Sequence, residues 1–215
     1  MKKITTFILM LVACSAVMSC TKMLLYSYGI RNPKIETETS IQNYLKTIGL
    51  NTENSFALKD TVALTSFFKS KIGAPEIRFY DKNGYLMLYR NEKKCNGQND
   101  SLIEFLNPSN VVRIDSSQNI FNYLNDLRTL HGEPIDRNAF KNYDYYLITY
   151  WAKWMGKVNK SKISDWEQSL KSKKDLNLKF IKVTTDYMNF WQIKKSSIVK
   201  VYSRKTKISG THHKK

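Results

Sequence analysis

Three observations place this chain among α/β folds. Glu76-Ile77-Arg78-Phe79-Tyr80 and Tyr85-Leu86-Met87-Leu88-Tyr89 flank Asp81-Lys82-Asn83-Gly84. Aromatic and branched runs on either side of Asn-Gly are a strong β-hairpin signal. Residues 144–151, Asp-Tyr-Tyr-Leu-Ile-Thr-Tyr-Trp, form a long apolar-aromatic run, the pattern of a central strand covered on both faces. Ile163, Trp166 and Leu170 share one face of a helix over about 161–174, and Leu178-Lys179-Phe180-Ile181-Lys182-Val183 then alternates as a strand. Strand, helix, strand is a βαβ unit, which implies parallel pairing and a right-handed crossover.

The other elements follow from local signals. Leu24-Leu25-Tyr26-Ser27-Tyr28 is apolar enough to sit at a membrane or to begin a strand, and Asn32-Pro33 marks a turn. Ser40 as N-cap, Ile41, Tyr44, Leu45 and Ile48 on one face, and Gly49 as stop predict a helix over 40–49. Asp60 caps a second helix over 60–71, with Val62, Ala63, Phe67 and Phe68 as its inner face. The polar stretch 91–100 reads as a loop, 101–106 as a short helix ending before Pro108, and Val111–Ile114 as a short strand. Ile120, Leu124 and Leu127 form the inner face of a helix over 117–130, which stops at His131-Gly132-Glu133-Pro134. Ser164 with Glu167 fits a capping box for the 161–174 helix. Ile198–Tyr202 is a candidate edge strand, and residues 209–213 read as a loose end.

The start of the chain carries an address. Met1-Lys2-Lys3 precedes an apolar core, Phe7-Ile8-Leu9-Met10-Leu11-Val12-Ala13, and then Ala16-Val17-Met18-Ser19-Cys20. Basic, apolar and small-residue regions in that order make a secretory signal. The core is too short to span a bilayer, which needs about 20 residues. A small residue directly before Cys20 resembles the lipobox of bacterial lipoproteins. The resemblance implies cleavage before Cys20, acylation of its thiol, and a palmitate-type anchor in a membrane of the cell envelope. Met18 departs from the small residues common at that position. With no acidic run after Cys20, the periplasmic face is the expected side.

Removing residues 1–19 from a chain of 215 leaves 196, room for one domain with a real core. The expected organisation is a signal peptide at 1–19, an anchor and tether at 20–39, one α/β domain at 40–193 and a basic tail at 194–215. The formal net charge of +17 falls to +15 without Lys2 and Lys3. Such a balance favours anionic partners. For an exported, anchored chain these are lipid headgroups and cell-surface polymers, and no nucleic acid is expected. Lys194, Lys195, Lys200, Arg204, Lys205, Lys207, Lys214 and Lys215 make the tail basic throughout, a solvated face or a headgroup contact. Cys14 leaves with the signal and Cys20 takes the lipid, so Cys95 stays alone and no disulfide can form within the mature chain.

At Trp151-Ala152-Lys153-Trp154-Met155-Gly156-Lys157-Val158 the chain resembles the thioredoxin-like fold, a three-layer α/β sandwich. In anchored thiol-disulfide oxidoreductases of that family a strand runs into Trp-Ala-x-Trp-Cys-Gly-Pro-Cys and then a helix. Leu178–Asp186 resembles the family's next strand, which commonly ends near an Asp. Ile72–Gly84, with Ala74-Pro75 before the hairpin, resembles the cis-proline loop and the hairpin after it. In ordinary thioredoxins that part follows the Trp-Cys motif. Here it precedes the motif, so the resemblance implies a circularly permuted order and a cis Ala74–Pro75 bond.

The reactive positions depart from the pattern. Met155 stands where the nucleophilic Cys belongs and Val158 where the resolving Cys belongs, with Lys157 in place of Pro. The chemistry needs a thiolate, and a thioether has no proton to lose. The resemblance therefore implies a site without dithiol activity, and a role as a binding or assembly module. Trp151 and Trp154 line a peptide groove beside Pro75 or pack in the core. Cys95, after Lys93-Lys94, is the sole candidate for an alternative single-thiol redox role, and a structural envelope role is the third reading. No cofactor is expected. Neither His131 nor His212-His213 offers the three or four converging ligands of a metal site.

Overall fold

The computed structural model describes residues 25–70, 74–88, 113–172 and 176–199. Cys14, Cys20, Cys95, the expected helix at 101–106 and the tail beyond residue 199 lie outside them. Nine strands are described: β1 (Ile35–Glu36), β2 (Ser55–Leu58), β3 (Glu76–Asp81), β4 (Tyr85–Leu88), β5 (Arg113–Asn119), β6 (Leu127–Thr129), β7 (Tyr145–Trp151), β8 (Leu178–Thr184) and β9 (Tyr187–Met188). The last pairs in parallel with β1 as a separate two-stranded sheet. The other seven form one mixed sheet in the order β5-β4-β3-β7-β8-β2-β6.

The chain is α/β, as its patterning predicts, and β7 is the strand around which the sheet is ordered. It pairs in parallel with β8 from Tyr145↔Leu178 to Trp151↔Thr184. On its other side it pairs antiparallel with β3, from Glu76↔Tyr150 to Asp81↔Tyr145. The hairpin thus lies beside 145–150, as expected from a lone hairpin that needs a third strand. Its turn is made by Asp81, whose carboxylate accepts from the Asn83 and Tyr85 amides at 3.0 and 2.8 Å. Gly84 has φ +81°, and a Cβ there would meet the Phe121 ring at 2.7 Å. The peptide bond between Ala74 and Pro75 is cis.

Alternation along β7 sends its side chains into two cores. Leu147 and Trp151 pack with Ile41 and Leu45 of α1 (Glu38–Thr47) and with Ile163, Trp166 and Leu170. Tyr146, Ile148 and Tyr150 pack with Ala63, Leu64 and Phe67 of α2 (Thr61–Lys69) and with Ile120 and Leu124. Burying both faces removes several hundred Å² of apolar surface from water, at about 25 cal/mol per Å².

Several expectations change. The first helix starts at Glu38 on a Thr37 cap, whose side chain accepts from the Ser40 amide. Ser40 itself donates to Glu36. The second helix is capped by Asp60 as expected, but Leu64 joins Ala63 and Phe67 inside, while Val62 is 69% and Phe68 50% exposed. Only one stripe of so short a helix can meet the sheet.

The expected helix at 117–130 does not form. Residues 113–119 are β5 on the open edge of β4, Ile120–Tyr123 is one helical turn capped by Asn119, and Leu127–Thr129 is β6 on the open edge of β2. Ser116-Ser117-Gln118-Asn119 favours caps and turns over helix interiors, so the two sheet edges take the flanks. Ile120, Leu124 and Leu127 are buried as predicted, though not on one helix.

The helix after β7 begins earlier than predicted, at Lys157, and passes through a π-helical turn at Lys160–Ser164 into Asp165–Lys171. Ser164 is therefore inside it and makes no side-chain cap, and Glu167 is buried opposite Lys182 at 3.6 Å instead of closing a capping box. Residues 25–27 are helical, so the strand alternative for 24–28 is not taken up, and 198–199 belong to no strand.

Residues 30–110 expressed alone contain the hairpin without β7 and β8. We expect that fragment to be unfolded or aggregated by circular dichroism and gel filtration. A monomer with a cooperative thermal transition would show that the first half folds by itself.

Candidate functional site

The carboxyl end of β7 is where the chain concentrates buried polar groups. After Trp151 the backbone turns through Ala152, one 3-10 turn at Lys153–Met155, and Gly156 into the helix at Lys157. The end of β8 holds the start of this loop. The Thr185 amide donates to the Trp151 carbonyl at 2.7 Å. The carboxylate of Asp186 accepts from the Lys153 amide at 2.6 Å and from the Thr184 hydroxyl at 2.7 Å.

The far end of the loop is held by α1 and by the helix that follows. Asn159, fully buried, donates from Nδ2 to the Ala152 carbonyl at 2.7 Å and to the Tyr44 hydroxyl at 2.9 Å. Tyr44 in turn donates to the Gly156 carbonyl at 2.8 Å, and its ring stacks on Trp151 at 5.8 Å between centroids. From outside, residues 28–31 close over the loop. Lys157 donates its amide to Tyr28 at 2.9 Å, and Arg31 donates its amide to Trp154 at 2.8 Å.

Asp186 is the most perturbed acid here. Burial pushes its carboxyl up to about 6, against the hydrogen bonds from the Lys153 amide and Thr184, and with the negative charge of Glu36 adding to the rise. Its second oxygen, and the side-chain oxygen of Asn159, have no hydrogen-bond partner among the described residues. Glu36 is itself tied down, accepting from Lys153 Nζ at 2.8 Å and from Ser40. Burial raises the Tyr44 hydroxyl as well.

Trp151 is fully buried, as the core alternative had it, while Trp154 is half-buried and divides two cavities. One, about 530 Å³, is mainly apolar, with Pro33, Leu64, Phe68, Tyr187 and Val199 around Trp154. The other, about 640 Å³, is basic, with Arg31, Lys34, Lys153, Lys157 and Lys160 among its walls. Met155 is buried and Val158 half-buried. Pro75 precedes Glu76, which pairs with Tyr150, so it lies at this end of the sheet but lines neither cavity.

Reading the sequence brought Trp151, Trp154, Met155 and Val158 to one loop. It did not bring Glu36, Tyr44 or Asn159 there, since nothing in a helix-face pattern marks a Tyr or Asn as polar partners of a distant loop. Among the described residues no group of three or more His, Cys, Asp and Glu could hold a metal ion, and no helix is long and apolar enough to cross a membrane. His131 instead lies 2.6 Å from Glu38. No family model matches the chain, and neither the curated proteins nor the solved structures contain a significant match.

Two variants test this geometry. A carboxyl raised in the folded state stabilises the fold fully below its ordinary pKa, and that stabilisation is lost as pH rises through about 6. At about 1.4 kcal/mol per pKa unit, the shift amounts to about 3 kcal/mol. Asp186→Asn should therefore gain on the wild type by about that amount between pH 4 and pH 8 in urea titrations, and a pH-independent difference would refute the assignment. Gly156 has φ +59°, and a Cβ on it would lie 2.4 Å from the Gly29 carbonyl oxygen. Gly156→Ala should cost about 2 kcal/mol or more and raise proteolytic cleavage near residues 25–31.

Proposed function

We propose that this chain is a lipid-anchored protein of the bacterial envelope whose thioredoxin-like domain has lost its dithiol and serves to bind an extended, apolar protein segment. The observation that carries the reading is Trp154. It is half-buried and lines an apolar cavity, and Met155 beside it and Val158 in the following helix stand where the resemblance puts the two reactive cysteines. Thioether and alkyl side chains cannot exchange disulfides. An aromatic wall beside Leu64, Phe68 and Tyr187 can bury apolar side chains of a partner.

The thioredoxin-like part of the reading is supported by strand neighbours. The strand before the Trp-Ala-x-Trp loop lies between a parallel strand ending near Asp186 and an antiparallel hairpin preceded by Ala74-Pro75. Those are the relations the resemblance implies, reached in permuted chain order. The envelope part rests on the leader and Cys20.

The test has three readouts on protein extracted from membranes. Intact mass should show loss of residues 1–19 and added acyl mass on Cys20. Insulin reduction with dithiothreitol should run at background, and Cys95→Ser should leave function intact. Fluorescent heptapeptides carrying two aromatic or aliphatic side chains should bind, and Trp154→Ala should weaken them about tenfold, the scale of one aromatic anchor. Reductase activity that survives Cys95→Ser would overturn the binding-module reading, and so would peptide affinity unchanged by Trp154→Ala.

A further inference from the structure

The cavity on the other side of Trp154 has a different chemistry. Its walls include Arg31, Lys34, Lys153, Lys157 and Lys160 against one carboxylate, Glu36. Five cations and one anion leave four net positive charges around one cleft. Among the described residues only Lys153 of the five is in an ion pair, with Glu36 at 2.8 Å. Arg31, Lys34, Lys157 and Lys160 are exposed. Like charges gathered at this density repel one another, and they lower their energy by meeting an anionic surface within a Debye length, about 8 Å at physiological salt.

Two further observations say which surface. Tyr26 is 83% and Tyr28 50% exposed, on the segment that closes over the same loop. Exposed tyrosines beside lysines and arginines are the composition of side chains that sit at a lipid–water boundary, with rings and aliphatic stems inward and polar ends among headgroups. The segment is also short of the anchor. Leu25 is five steps along the chain from Cys20, so at a maximum of about 3.6 Å per residue the lipidated residue lies within about 18 Å of the first described one. Residues 28 and 31 are then hydrogen-bonded to 157 and 154. A chain held at Cys20 cannot carry this cleft far from the bilayer.

We propose that the Arg31/Lys34/Lys157/Lys160 face rests on the anionic headgroups of the membrane that holds the lipid, with Tyr26 and Tyr28 in the interface. The inference rests on lipidation at Cys20. It orients the domain. The sheet's end at Trp151 and Thr184 faces the bilayer, and the opposite end, at Tyr145 and Leu178, faces away. The apolar cavity opens from the membrane-proximal end of the sheet, on the other side of Trp154. A partner reaching Trp154 must therefore approach along the membrane surface.

The experiment uses the full acylated protein reconstituted in vesicles of phosphatidylcholine alone or with 30% phosphatidylglycerol. Surface lysines are labelled with a water-soluble amine reagent and located by peptide mass. Labelling of Lys34, Lys157 and Lys160 should fall at least threefold on the anionic vesicles and recover in 0.5 M salt. Lys141, exposed just before β7 at the far end of the sheet, should label equally in both. Arg31→Glu with Lys160→Glu, both on exposed positions, should reduce the protection of Lys157. Equal labelling of the three lysines on both vesicles would overturn the proposal while leaving the anchor intact. Protection on neutral vesicles that resists salt would also overturn it. Absence of acyl mass on the purified chain would remove the lipoprotein reading and this inference with it.

Discussion

Burial of β7 on both faces is the constraint that orders this molecule. A strand with aromatic or aliphatic side chains on both sides must have a layer of helices over each face and a partner on each edge. The chain meets the first demand with α1 and the 157–171 helix on one face and α2 on the other. It meets the second with β8 from the C-terminal half and β3 from the N-terminal half. No half of the sequence could satisfy that strand by itself. The weak strands, β5 and β6, are added on the outer edges of a sheet already fixed by β7.

The end of β8 and the helix after β7 bring polar groups to a buried place. Asp186, Asn159, Thr184 and Thr185 are all sealed from solvent behind the loop that β7 feeds. Burial of a carboxyl costs free energy unless hydrogen bonds or a proton relieve it, and Asp186 has only part of that relief. A fold selected for stability alone would place an apolar side chain there. The cluster positions backbone: the Thr185 amide, the Asp186 carboxylate, the Asn159 amide and the Tyr44 hydroxyl each make one hydrogen bond to the main chain between residues 151 and 156. Its product is a fixed Trp154, half-buried between an apolar hollow and a basic one.

Much of the fold was legible because its signals were local. The hairpin, the apolar strand, the alternating strand and the Asp60 cap each depend on neighbouring residues. The errors came where tertiary pairing outweighed local spacing. Ile120, Leu124 and Leu127 have helical spacing, yet the open edges of β4 and β2 took residues 113–119 and 127–129. Ser164 and Glu167 match a capping box, yet the helix had already begun at Lys157 and Glu167 was drawn to buried Lys182. Half of the site was legible for the same reason: the loop 151–158 is contiguous, whereas Tyr44 and Glu36 arrive from more than a hundred residues away.

The hydrogen bonds from Lys157 to Tyr28 and from Arg31 to Trp154 also make the loop a mechanical element. Tension applied to the amino-terminal end reaches the sheet only after crossing those two bonds and the close contact between Gly29 and Gly156. The load therefore falls first on Trp154 and its neighbours, and passes to β1 and its pairing with β9 only when they yield. A tug on the leading segment would strain the turn at residues 153–157 before it reached the sheet, which makes that turn the first part of the domain to register a mechanical load.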